Sequence, residues 1–156
     1  MHKIFILAVG KLKEGHWQAA QQEFLLRLAP FARTEVIEAK AEPITDSRGA
    51  AISMRLEGES ILAKLPQDSF VIVLDRTGQR LASEKLAQLL NEEGGRGRAL
   101  TFVIGGAAGL DQAVLAKADR KISLSDLTFT HEMARIFLLE QLYRAETILT
   151  GKKYHY

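Results

Sequence analysis

The chain of 156 residues contains no cysteine, which excludes disulfides, iron–sulfur clusters and thiolate zinc sites. Its four histidines, His2, His16, His131 and His155, are scattered without metal-ligand spacing, so no metal is expected. Long apolar runs are missing as well. The longest, Ile4 to Val9, is far short of a bilayer crossing. No small-residue cleavage site follows it, only Gly10-Lys11-Leu12-Lys13, so no secretory signal is read and a cytoplasmic protein with no membrane association is expected. Charge of one sign is scarce too: 21 basic and 19 acidic residues leave a net charge of +2, which by itself does not point to nucleic acid. Repeats, low-complexity tracts and linkers are absent.

Against those absences stands an ordinary globular composition, 47% hydrophobic and 26% charged. A single domain over residues 1–156 is expected, large enough to bury roughly two-thirds of its unfolded surface. Apolar, branched runs alternate with helical patterns. Strands are expected at Ile4–Val9, Glu35–Glu38, Phe70–Asp75, Leu100–Ile104 and Ile122–Leu124. Helices are expected near His16–Leu28, Arg48–Lys64, Glu84–Asn91, Gln112–Ala118 and from about Glu132 to Leu149. Strand starts fall roughly 20 to 35 residues apart, the rhythm of βαβ crossovers, and three runs are continuously apolar, as in strands covered on both faces. The fold class is α/β with a mostly parallel sheet flanked by helices; strand order is not legible. Asp111 and Ser83 stand where they can cap helices, and Gly151 where a left-handed residue would close the last one.

Chemistry is most readable in Ile104-Gly105-Gly106-Ala107-Ala108-Gly109-Leu110, a glycine loop between a strand and the Asp111-capped helix. Glycine there allows positive φ and close approach of a ligand to the main chain, or simply a tight turn. Ligands of α/β sheets sit beyond the carboxyl ends of strands. A dinucleotide fingerprint would follow the first strand, which here ends in a single glycine, and no Walker-type Gly-Lys-Ser or Gly-Lys-Thr occurs. Two further loops, Asp75-Arg76-Thr77-Gly78 and Leu124 to Phe129, would join the glycine loop if their strands are neighbours. Their amides and small hydroxyls suit adenine and ribose better than phosphate, and plain turn chemistry is the other reading of Ser125, Asp126 and Thr128.

The last helix is apolar over most of its circumference. A helix of that kind is buried on more than one side. The sheet of so small a domain is expected to cover one face only, so a homodimer is expected, with a central helix inside one chain as the other reading. His131, Arg135, Arg144 and the ending Gly151-Lys152-Lys153-Tyr154-His155-Tyr156 interleave cations with aromatics, a pattern for phosphate contact and base stacking; a solvated tail with a Glu140–Arg144 pair is the commoner arrangement.

The ordered set Ala8-Val9-Gly10-Lys11, Leu74-Asp75-x-x-Gly78 with Ser83-Glu84, Phe102-Val103-Ile104-Gly105-Gly106-x-x-Gly109, Leu124-Ser125, His131-x-x-x-Arg135, Tyr143-Arg144-Ala145 and Tyr154-His155 closely resembles the large-subunit ribosomal RNA methyltransferase H family, within the SPOUT superfamily. The resemblance covers essentially the whole chain. It implies a C-terminal trefoil knot, dimerisation, S-adenosylmethionine as cofactor, and methylation of pseudouridine N3 in large-subunit ribosomal RNA on the ribosome. On the family pattern Leu74, Gly105 and Leu124, Ser125, Asp126, Leu127, Thr128 and Phe129 would hold the cofactor. Arg144 and Arg135 would stabilise the developing anion of the base, His155 would accept its proton, and Tyr154 would stack on it or hydrogen-bond to it. Two departures stand out. Thr130 replaces a proline frequent in the family, and can cap the helix. Tyr156 replaces a terminal basic residue, so phosphate contact would fall to Lys152 or Lys153. Competing readings are a ribosome-associated binding module without methyl transfer, and a small-molecule enzyme using a flavin or nicotinamide.

Overall fold

Strand residues divide cleanly between two faces, which fixes a three-layer architecture. In the computed structural model, which describes residues 1–154, strand β1 (His2–Val9) sends Ile4, Ile6 and Ala8 to one core and Leu7 and Val9 to the other. Strand β3 (Phe70–Arg80) repeats this with Phe70 and Ile72 against Val71 and Val73, and β4 (Leu100–Ile104) with Leu100, Phe102 and Ile104 against Val103. Side chains of a strand alternate between faces, so a run that is apolar at every position needs cover on both. Helices α1 (Gly15–Leu28), α3 (Ser83–Gly94) and α5 (His131–Leu149) cover the first face; α2 (Ala50–Lys64) and the short α4 (Gln112–Leu115) cover the second.

With β2 (Ala32–Ala39) and β5 (Arg120–Ser123) the sheet has five strands in the order β2-β1-β4-β3-β5, and every pairing is parallel. The expected α/β class with a parallel sheet is therefore observed. Boundaries differ in places. Strand β2 begins at Ala32 rather than Glu35, because it matches β1 residue for residue from His2↔Ala32 to Val9↔Ala39. Strand β5 begins at Arg120, two residues early, and stops at Ser123. Helix α4 is a single turn ending at Leu115.

Most expected caps are present. Asp111 Oδ2 accepts from the Ala113 amide at 3.4 Å, and Thr130 Oγ1 from Met133 at 3.2 Å. Gly151 has φ of +68°, and the Lys152 amide reaches back to Thr147 O at 2.9 Å, the six-to-one closure of a left-handed helix stop. Ser83 is a correction: it is the first residue of α3, and its hydroxyl donates to Gln141 Oε1 on α5 at 2.8 Å instead of capping.

Helix α5 has more cover within its own chain than the one sheet face expected of it. It lies between α1 and α3 on the sheet, with Leu138, Leu139, Leu142 and Ala145 fully buried. Two neighbours of the same chain thus account for much of its apolar circumference; Met133 and Phe137 remain exposed at 37% and 44%. Among the described residues no helix is long and apolar enough to cross a membrane.

Candidate functional site

Strands β3, β4 and β5 are neighbours, so their carboxyl ends deliver three loops to one place. Together these loops and the start of α5 line a cleft of about 720 Å³, within the size range of small-molecule sites.

The first wall begins where β3 loses register. Leu74 and Gln79 both stand opposite Ile122 of β5, so Asp75 to Gly78 leaves the sheet and returns to it. Gly78 permits this, because a Cβ there would lie 2.6 Å from the Ile122 carbonyl carbon. Within the excursion Asp75 Oδ1 accepts from the Thr77 amide at 2.7 Å and the Thr77 hydroxyl at 2.6 Å. Those hydrogen bonds, with Lys121 and Arg76 nearby, hold the Asp75 carboxyl below the usual carboxylate range.

The second wall is the glycine loop after β4. The Gly109 amide donates to Gly106 O at 3.0 Å, closing a turn, and the chain leaves it with φ of +86° at Gly109. Gly106 rests on Glu57 of α2, where a Cβ would stand 2.7 Å from Oε2.

The third wall runs from β5 to α5. Because β5 is the sheet's edge and His131 sits within 3.4 Å of a Cβ built on Gly10, at the end of β1, the segment 124–130 crosses beyond the ends of β3 and β4. Ser123 Oγ donates to Ser125 O at 2.9 Å, and Ser125 Oγ accepts from the Leu127 amide at 3.0 Å. Asp126 pairs with Arg80 of β3, and Phe129 stacks on Phe137 with ring centroids 4.9 Å apart.

Leu74, Gly105, Leu124, Ser125, Leu127, Thr128 and Phe129 all line the cleft; Asp126 does not, being turned to Arg80. The anion-stabilising and stacking candidates are placed differently. Arg135 is fully buried: Nη2 donates to Gly10 O at 2.9 Å and Nη1 to Gln21 Oε1 at 3.4 Å. Burial lowers its pKa, opposed by Glu38 and Glu132. Its expected place beside a substrate is corrected: the guanidinium fastens α5 to the end of β1. Arg144 lies at the far end of α5, nine residues on, or roughly 13 Å along the axis. It donates to Glu140 and covers the Tyr154 ring at 4.8 Å, while Tyr154 Oη donates to Glu140 at 3.2 Å. The Glu140–Arg144 pair weighed as the commoner arrangement is thus formed. His155 lies outside the described residues.

Thr130, His131 and Glu132 join the cleft without having been assigned to it. His131, which the sequence pairs with Arg135 one helical turn on, thus stands at the cleft near the end of β1. Glu57 had no signal at all, being one of several charged residues in a helix.

Among the described residues that line the cleft, Arg76 is the sole arginine or lysine, against the carboxylates of Asp75 and Glu132. A dinucleotide diphosphate would find little compensation there. Apolar walls at Leu74, Ile104, Leu110 and Leu124, with main-chain groups of the glycine loop, suit a neutral ring and sugar better than a phosphate. No group of residues able to hold a metal occurs among those described.

Comparison with known proteins agrees with this geometry. A family model described as "Predicted SPOUT methyltransferase" matches residues 2–155. The chain is 43% identical to a protein of Carboxydothermus hydrogenoformans named Ribosomal RNA large subunit methyltransferase H, over 98% of this chain and 99% of that one. Proteins of the same name from Symbiobacterium thermophilum and Halothermothrix orenii are each 46% identical, again covering 98% of this chain and 99% of theirs. The chain belongs to the SPOUT methyltransferase family.

Proposed function

We propose that this chain, a single domain over residues 1–156, methylates large-subunit ribosomal RNA in the cytoplasm, at N3 of a pseudouridine, with S-adenosylmethionine held in the cleft. The observation that carries the reading is the convergence of three carboxyl-end loops on a cleft poor in cations, in a chain whose relatives bear that activity in their name. Leu74, Gly105 and the segment Leu124 to Phe129 would enclose the adenosine part, with Asp126 acting through Arg80 to hold the segment in place. When bound, the cofactor supplies an electrophilic methyl group on a sulfonium. The chain's remaining task is orientation and removal of the imide proton. Arg144 would stabilise the anion developing on the base oxygens, Tyr154 would stack on the ring, and His155 would accept the proton. Arg135 holds α5, and with it His131, against β1.

Arg144 and Tyr154 stand at the opposite end of α5 from the cleft. Arg144, with Tyr154 beside it, lies roughly 20 Å along α5 from His131, so one chain does not bring them to its own cleft without unwinding α5. A homodimer supplies the alternative: a second copy's tail enters the cleft. Exposed Met133 and Phe137 beside Phe129 give such a partner an apolar seat at the rim. The C-terminal trefoil knot belongs to the same reading, supported by the passage of 124–130 across two strand ends before α5 packs between α1 and α3.

The test is transfer of labelled methyl from S-adenosylmethionine to ribosomes from a strain lacking the gene, followed by digestion of the ribosomal RNA. Label on pseudouridine N3 is expected. Ribosomes that bind the protein and stay unlabelled would support a binding module instead.

A further inference from the structure

Five buried side-chain atoms have no hydrogen-bond partner among the described residues: Thr34 Oγ1, Glu38 Oε2, Glu57 Oε2, His131 Nδ1 and Arg135 Nε. Glu57 differs from the rest in standing directly behind a wall of the cleft. It is 4% exposed and comes from the middle of α2. Its Oε1 accepts one hydrogen bond, from the Glu42 amide at 3.1 Å. Its carboxylate faces Gly106, where a Cβ would meet Oε2 at 2.7 Å and Oε1 at 2.9 Å. The next residue, Gly58, lets Asp111 approach α2 closely, for a Cβ there would lie 2.8 Å from Asp111 Cβ. The glycine loop is thus seated on α2, with one main-chain layer between a buried carboxylate and the cleft.

Other charges around Glu57 do not neutralise it. Glu42 is itself an anion, paired with Lys40 at 2.9 Å and with Arg48. Asp111 contributes a carboxylate from the start of α4, and His131 of α5 is the group on the cleft side. Burial pushes the Glu57 carboxyl up, the Glu42 amide draws it down, the Glu42 charge pushes it up and His131 draws it down. A buried anion so poorly compensated is stabilised by a cation placed across the wall.

We propose that Glu57 is a charge-selecting residue: through the side-chain-free wall at Gly106 it favours the cationic cofactor over the neutral thioether left after methyl loss. This rests on the reading that the cleft takes S-adenosylmethionine. A unit charge across one main-chain layer, at an effective dielectric constant of about 20, alters the binding constant of an opposite charge by roughly tenfold. The consequence is functional. Product leaves partly because it has lost the charge that Glu57 held.

The experiment is calorimetric titration of S-adenosylmethionine and of S-adenosylhomocysteine into wild type and Glu57→Gln at neutral pH. The ratio of the two affinities is expected to shift by roughly tenfold towards the thioether in the variant, with thioether binding changed less than about twofold. Equal weakening of both ligands, or an unchanged ratio, overturns the proposal. If Glu57→Gln does not fold, the same ratio is measured in wild type between about pH 5 and about pH 7. The Glu57 carboxyl loses its charge as the pH falls, and burial raises the pH at which it does so, so preference for the cation must grow with pH. The series is repeated in His131→Asn, to separate the effect of Glu57 from that of the imidazole facing it. A flat ratio overturns the proposal. Failure of wild type to bind either ligand is a different result: it overturns the cofactor reading and Glu57's role with it.

Discussion

At the amino-terminal end of α5 a guanidinium is wholly buried, two of its nitrogens on Gly10 and Gln21, beside an imidazole; among the described residues Arg135 Nε and the imidazole Nδ1 have no partner. At the carboxyl-terminal end a second guanidinium, Arg144, stays partly open to solvent, pairs with Glu140 and lies over Tyr154. The first end uses its cation to fix the backbone that shapes the cleft. The second keeps its cation within reach of something outside the chain. An arginine in a short motif therefore carries no fixed role: burial separates a fastening from a contact.

The largest expected effect comes from breaking the first end. Arg135→Met removes the charge yet leaves Gly10 O without its donor; unfolding by denaturant should show a loss of about 3 kcal/mol. A loss below about 1 kcal/mol would mean that the α5–β1 tie is dispensable. The two helix caps offer a matched intermediate pair. Thr130→Ala deletes the hydroxyl that accepts from Met133, and Gly151→Ala places a side chain at φ of +68°. Each should cost about 1 kcal/mol in the same measurement. Thr130→Ala should also weaken cofactor binding, because Thr130 lines the cleft, whereas Gly151→Ala should not. Arg144→Ala should have the smallest effect on stability, about 0.5 kcal/mol or less, since an i,i+4 pair near the surface contributes little. Methyl transfer to ribosomes should nonetheless fall by an order of magnitude or more, with calorimetric affinity for S-adenosylmethionine unchanged. Parallel loss of stability and transfer in Arg144→Ala would erase the contrast between the ends.

The α/β class and the parallel sheet were legible because unbroken apolar strands are what two-sided cover requires. The three loops were legible because glycines and small hydroxyls follow strand ends, and their convergence needed only that β3, β4 and β5 be adjacent. What the chain did not disclose depends on contacts distant in sequence. Arg135 looked available because nothing local reveals that Gly10, on another element, takes its hydrogen bond. The excursion at Asp75 to Gly78 was hidden because a strand that leaves and rejoins its partner reads locally as a strand that ends. Glu57 was invisible because a charged residue inside a helix ordinarily faces water, and only the close approach of Gly106 makes it otherwise.

The strand order has one more consequence, for how the molecule forms. Strand β4 lies between β1 and β3, and its partner residues Ile4 and Leu100 are 96 positions apart. During synthesis β1 can pair with β2 early, but both strands that flank the centre wait for residues 100–104 before the sheet can close. Closing a loop of that size is slow compared with forming local structure. The nascent chain therefore holds β3 and one edge of β1 unpaired until β4 has been made, the stage at which a chaperone has most to offer it.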